Sequence, residues 1–314
     1  MLVPDLSLQT IVQSLKDYID TSHYNENEDR LKIMNYYEGI NLEEEVMNYF
    51  DPNALQFAPI LATNITKKLI DARYIAYKSA PERTADDRYL ERLGDLDQDM
   101  IEVDRLTGLL GTVAVLRYYD EDKDRLDSHI ITDFEPIFKQ NNPDPIGIIY
   151  PLFSHGDMRA EEQQFVYWSN ESHFKIKKSG EVIHVNDEDI NPFGVVPIVY
   201  SHLYPMLGNE FIRTGKGKMV ANANLLYNIF GTQLSLGNMY QSLGQSVLTG
   251  VDETTRLKMD VSKMLVLPEG ANYSIVSPSG SLSEIRSNMK FIIETTADAM
   301  HLKMKWGDDT SSTS

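Results

Sequence analysis

The segment Glu210–Gln241, EFIRTGKGKMVANANLLYNIFGTQLSLGNMYQ, is rich in Gly, Ala, Asn and Ser and reads as one long helix. Met219, Ala223, Leu226, Tyr227, Phe230 and Leu234 draw its expected apolar side. Gly215, Gly217, Gly231 and Gly237 would each cost about 1 kcal/mol in an isolated helix. Such glycines are tolerated where neighbouring elements pack very close. A compact β-like insert follows, Ser246 to Pro278, with strands expected near Met264–Leu267 and Tyr273–Val276. Ser281-Leu-Ser-Glu284 then forms a capping box that opens a helix running to about Lys305. Its stripe, Leu282, Ile285, Met289, Ile292, Thr296 and Ala299, alternates three and four residues apart. Two helices joined by a compact module form a hairpin with a head. A single copy leaves the helix sides poorly covered, which predicts packing against other copies.

Upstream, residues 110–204 have a β texture. Gly111–Tyr119 (GTVAVLRYY) and Ser128–Phe134 are rich in β-branched and aromatic residues, with the turn Asp120–Asp124 between them. Further strands are expected at Ile146–Phe153, Gln164–Ser169, Ser172–Lys177 and Glu181–Val185, the last two joined through Lys178-Ser-Gly180. Val195–Tyr200 closes the block, and Pro197 points to an edge position. The sheet is expected to be mainly antiparallel.

The first hundred residues read as helical. Leu8, Ile11, Val12, Leu15 and Ile19 recur at helical spacing, with a polar break at Asn25–Glu28. A second helix is expected over Asp29–Tyr37, ending near Gly39. Asn64 can cap a third, Ile65 to Ser79, before Pro81. A fourth is expected from Asp86 to Leu106, its many charges forming a solvated face. The fold class is therefore α+β.

The chain has 314 residues, enough for a sizeable core, and no cysteine. Disulfide scaffolds, thiolate metal sites and thiol nucleophiles are thereby excluded. No run approaches the roughly 20 apolar residues of a membrane span, and Met1–Asp5 has no basic leader, so neither insertion nor secretion is expected. Net charge is −18, from 29 basic and 47 acidic residues. Residues 205–306 hold 10 basic against 8 acidic residues, whereas 1–204 hold 19 against 37. An acidic sheath around a near-neutral remainder does not grip phosphates as a sequence-specific DNA-binding domain does. Nucleic acid is either no partner or one that must not be held tightly.

No catalytic constellation stands out. The seven histidines, His23, His129, His155, His173, His184, His202 and His301, lack metal-ligand spacing and read as surface or packing residues. Gly244-Gln-Ser246 lacks the closing glycine of a nucleophile elbow. Asp120, Asp122 and Asp124 begin like a calcium loop, but Arg125 replaces the required glycine and Ile131 the twelfth-position glutamate. Gly215-Lys-Gly-Lys218 is not a phosphate-binding loop. Lys216 and Lys218 can face a phosphate backbone, or equally make weak surface pairs. Glu43–Glu45 and the carboxylates of 86–99 read as solvated faces. Neither a metal, a cofactor nor an enzymatic activity is expected.

The order of these segments resembles that of the portal, or head-to-tail connector, proteins of tailed bacteriophages. Arg30–Gly39 (RLKIMNYYEG) is similar to the family's early helix, and Asn64–Pro81 (NITKKLIDARYIAYKSAP) to the helix leading into its wing. Gly108–Tyr119 (GLLGTVAVLRYY) resembles the start of the wing sheet, and Ile146–Tyr150 and Phe165–Trp168 its later strands. Asn191–Tyr200 (NPFGVVPIVY) resembles the stretch before the first stem helix.

The resemblance implies a helical wing part at 1–109, a β-rich wing at 110–206, a first stem helix at 207–242, a clip at 243–280, a second stem helix at 281–306 and a flexible tail at 307–314. It implies a ring homo-oligomer, typically a dodecamer, around double-stranded DNA, located at the portal vertex of a virion assembled in bacterial cytoplasm. Terminase and head–tail adaptors would dock on the clip, and capsid and scaffolding proteins would surround the wing. No membrane partner is implied. The family's tunnel loop and crown would begin where this sequence ends, so both are expected to be absent. Candidate DNA-channel residues are Arg213, Lys216, Lys218, Arg286, Lys290 and Lys303, and candidate clip contacts are Arg256, Lys258 and Lys263. The alternatives are another phage head or adaptor protein, and a carboxylate-dependent hydrolase.

Overall fold

The computed structural model describes residues 7–20, 22–55, 59–77, 79–139, 142, 144–152, 163–185, 189–205, 211–212, 214–243, 245–249, 270, 272–276 and 282–303. It is α+β, and its sheets are antiparallel throughout the described strands. The chain divides into two compact units. One holds Met1–Ile40, Asn64–Asn222 and Asp298–Lys303, and the other Asn41–Thr63, Ala223–Ala297 and Met304–Ser314.

In the first unit, helix α1 (Leu8–Asp20) lays Ile11, Leu15, Tyr18 and Ile19 into the core. Helix α2 covers Ser22–Glu38, so the expected break at Asn25–Glu28 is instead helical. That stretch has polarity but neither Gly nor Pro, and polarity alone does not stop a helix. The helix ends at Gly39, whose φ of 80° supplies the left-handed turn.

Asn64 caps α5 (Ile65–Arg73) as expected, its side chain accepting from Lys67 N–H at 2.9 Å. The helix stops six residues before the expected Ser79, because Tyr74 turns extended. Its ring lies so close to Gly108 that a Cβ there would sit 2.2 Å away. The fourth expected helix divides into α6 (Asp87–Glu91) and α7 (Leu96–Leu110). Gly94, at φ 61°, makes the break, and Leu126 N–H bonds to Arg92 O at 2.6 Å beside it.

Strands β1 (Thr112–Asp120), β2 (Arg125–Ile131) and β8 (Ile198–His202) form a three-stranded sheet in the order β2-β1-β8. The strand after Pro197 is thus at an edge, as the proline indicated. A five-stranded meander runs in sequence order through β3 (Glu135–Phe138), β4 (Pro145–Pro151), β5 (Gln164–Ser169), β6 (His173–Lys177) and β7 (Val182–Ile183). Strand β3 lies where no separate strand was expected.

Phe165, Tyr167 and Ile149 face α1, while Val166, Trp168, Ile148 and Tyr150 pack against Ala114, Ile131, Ile198 and Phe211. With both faces covered, β5 buries five of its six residues instead of alternating with solvent.

The second unit contains α3 (Leu42–Met47), α4 (Pro52–Leu55), most of α8 (Gly217–Leu243), the two-stranded β9 (Gln245–Thr249) and β10 (Asn272–Val276), and α9 (Leu282–Ala299) except its last two residues. Helix, small β module and helix follow one another as expected. The expected strand Met264–Leu267 and the capping Ser281 lie outside the described residues.

The face of α8 differs from expectation. Met219 and Leu226 are exposed, while Asn224, Asn228 and Thr232 are fully buried. These polar groups go inside because part of what they pack against is backbone. Asn228 bonds both to Thr63 N–H and to Thr63 O, and Thr232 Oγ1 accepts from Leu61 N–H. On α9, Met289, Ile293, Thr296 and Ala297 are buried, so burial follows Ile293 and not the expected Ile292.

Candidate functional site

The Gly-Lys-Gly-Lys segment is shaped by the end of α7. Gly111, at φ 90°, closes that helix, its N–H reaching Thr107 O at 2.7 Å. Segment 214–218 lies across this end, and Lys216 N–H donates to Gly108 O at 2.9 Å. A Cβ on Gly215 would fall 2.3 Å from Leu109 O, and one on Gly217 would fall 2.5 Å from the same atom. Only glycine lets the two backbones approach this closely.

The carbonyls around the α7 terminus are taken up by Arg30 of α2. Its guanidinium donates to Leu110 O at 3.2 Å, Thr112 O at 2.7 Å and Thr132 O at 2.6 Å. A cation here also suits the negative end of the helix dipole. Nearby, Tyr18 O–H donates to Asp133 Oδ1 at 2.7 Å. Burial raises the Asp133 pKa from its ordinary value, against the lowering effects of that bond and of Arg30. Burial, then Asp133, raises the Tyr18 phenol well above its ordinary value.

The candidate cations are placed as follows. Lys216 is half-buried and fixed through its backbone. Lys218 is exposed, and its Nζ lies 2.6 Å from Asp29 Oδ2. A cleft of about 190 Å³ beside Lys218 is lined by Asp29, Arg30, Ile33, Leu109, Thr214 and Lys218. On α9, Arg286 is exposed and Lys290 Nζ lies 3.7 Å from Glu294 Oε1. Lys303 is exposed beyond the helix end.

Lys216, Lys218 and Lys303 thus belong to the first unit, and Arg286 and Lys290 to the second. Arg213, Arg256, Lys258 and Lys263 lie outside the described residues. The carboxylates beside Lys218 and Lys290 offset part of each positive charge. Such exposed pairs contribute about 0–1 kcal/mol and exchange readily with other anions.

Sequence reasoning missed two features. One is Arg30, which carried no signal beyond its place in a helix. The other is the Asn224, Asn228, Thr232 ladder, whose four-residue spacing was readable as a helix face but whose polarity argued for solvent.

No protein-family model and no curated protein matches the chain. Among solved structures, one described as the neck of an empty GTA particle computed with C6 symmetry aligns with 83% of this chain and 72% of its own, at 12% identity and a TM-score of 0.45. Among the described residues, no helix is long and apolar enough to cross a membrane.

Proposed function

We propose that this chain is a portal-type subunit of a tailed-phage head–tail connector, forming a ring through which double-stranded DNA is packaged and ejected. The observation that carries this reading is the second unit's succession of helix, two-stranded module and helix. Side chains of α9 meet glycines of α8 within it. A Cβ on Gly237 would lie 2.6 Å from Leu282 Cδ2, and one on Gly231 would lie 3.2 Å from Met289 Cε. Glycine contact points of this kind suit a stem in which long helices pack closely.

Charge supports the same reading. A near-neutral 205–306 segment, with Lys218 and Lys290 each beside a carboxylate, would let DNA slide, whereas strong phosphate neutralisation would hold it. In this account the chain has no catalytic activity of its own. Terminase and adaptors use the 243–280 module, capsid and scaffolding proteins contact the β-rich part, and the assembled ring resides at one vertex of the virion.

The test is the native mass of purified protein by light scattering, with negative-stain images of the same sample. A dodecameric ring with a central hole is expected. A stable closed dimer or tetramer would contradict the proposal.

A further inference from the structure

In the second unit, residues 59–63 form no helix and no strand, yet they run along α8. Asn224, Asn228 and Thr232 stand one helical turn apart on α8 and are fully buried, and the last two bond to this segment. Asn228 reads this main chain as a peptide would: its Oδ1 accepts from Thr63 N–H at 3.0 Å and its Nδ2 donates to Thr63 O at 3.1 Å. One turn on, Thr232 Oγ1 accepts from Leu61 N–H at 3.0 Å. The two spacings match. Two extended residues advance about 6.6 Å, and four helical residues advance about 6 Å.

Such a ladder does not by itself fix one register. A shift of two strap residues against one helical turn would bring other main-chain groups opposite the same kind of side chain. The element that breaks this near-repetition is Gly231. Leu61 occupies its notch so closely that a Cβ on Gly231 would lie 2.1 Å from Leu61 Cδ2 and 3.3 Å from Leu61 Cβ. With no side chain of its own, Gly231 leaves room for this leucine.

We infer that residues 59–63 are a releasable strap on α8, whose register is set by Leu61 in the Gly231 notch and whose hold is the side-chain ladder. Lifting the strap exchanges its hydrogen bonds for bonds to water and uncovers a stripe of Asn and Thr, groups that water solvates well. The apolar contact given up is that of Leu61 in the Gly231 notch and of the partly buried Ile60. The strap is therefore a local opening unit, one held on α8 by side-chain to main-chain hydrogen bonds together with the Leu61 contact. This inference does not depend on the connector reading.

The test is hydrogen exchange of the full chain, resolved to residues 59–63 and compared with the five-stranded sheet. Asn228→Ala is expected to accelerate exchange of the Thr63 amide about tenfold, the effect of losing one to two net hydrogen bonds, with sheet protection unchanged. Gly231→Ala is expected to accelerate exchange across 59–63. Leu61→Ala combined with Gly231→Ala is expected to be less perturbed than Gly231→Ala alone, because the clashing Cδ2 is gone. Unchanged strap exchange in Asn228→Ala would overturn the ladder. Equal acceleration of strap and sheet in that variant would overturn the separate opening unit. A double variant at least as perturbed as Gly231→Ala would overturn the notch.

Discussion

The five-stranded sheet of the first unit and helix α8 of the second are buried by different chemistry. The sheet is closed by apolar volume on both faces: Phe165, Tyr167 and Ile149 toward α1, Val166, Trp168 and Ile148 toward the three-stranded sheet. Helix α8 instead buries Asn224, Asn228 and Thr232, the last two bonded to the main chain of Thr63 and Leu61, and meets its neighbours through glycines. Apolar burial is non-directional and survives small adjustments. Side-chain to main-chain bonding is directional, and each partner matters because an unmet buried polar group carries a penalty. The first region should therefore respond to loss of volume, and the second to loss of hydrogen bonds or to added volume.

The largest effect is expected for Phe165→Ala. This fully buried ring packs edge-on to Tyr18 at 6.1 Å, and its removal should lower stability by about 3–5 kcal/mol, read as a chemical-denaturation midpoint. Gly215→Ala comes next at about 1–3 kcal/mol or more, since the added methyl meets the backbone of Leu109 and Gly111 and not a movable side chain. Asn228→Ala should cost about 1–3 kcal/mol, while the nearly apolar-to-small change Leu226→Ala, on the exposed face of the same helix, should stay within about 0.5 kcal/mol. Equal costs for those two variants would erase the contrast.

A smaller effect, and one confined to acid, is expected at His173. Its ring stacks on Trp168 at 3.4 Å, and burial, followed by the charge of Lys175, lowers its pKa to about 4. The unfolded chain binds the proton near pH 6.5, so the stability His173 supports is present above that value and is lost as pH falls toward 4. His173→Phe keeps a stacking ring and removes the proton. Its stability should fall less steeply between pH 6.5 and 4 than that of the unsubstituted protein, as measured by thermal melts across that range. The smallest effect is that of Lys218→Ala, whose exposed pair with Asp29 should contribute less than about 1 kcal/mol.

The same contrast explains which parts of the fold could be read from the residues. Helix α1 was visible because Ile11, Leu15 and Ile19 supply a plain apolar face, and the edge position of β8 was visible through Pro197. The glycines of segment 215–237 announced close approach, and Gly215, just before α8, and Gly217, Gly231 and Gly237 within it all meet neighbouring atoms. The rotation of α8 was not visible, because periodicity counts apolar residues and its inner face is partly polar. The ends of α5 and α6 were missed because they are set by distant groups: Tyr74 over Gly108, and Arg92 bonding to Leu126. Of the candidate cations, their identity was readable, but the partners Asp29 and Glu294 were not, Asp29 being 189 residues from Lys218.

The claim that α8 turns its polar ladder inward is tested most directly by chemical labelling, since the sequence holds no cysteine to interfere. Thr232→Cys is close to isosteric and places a thiol at a position with no solvent exposure. Under native conditions it should react with a thiol reagent at least about 100-fold more slowly than in denaturant, reflecting an opening free energy of some kcal/mol. Reaction at the denatured rate would show Thr232 in solvent, and would contradict the polar interior on which the account of α8 rests.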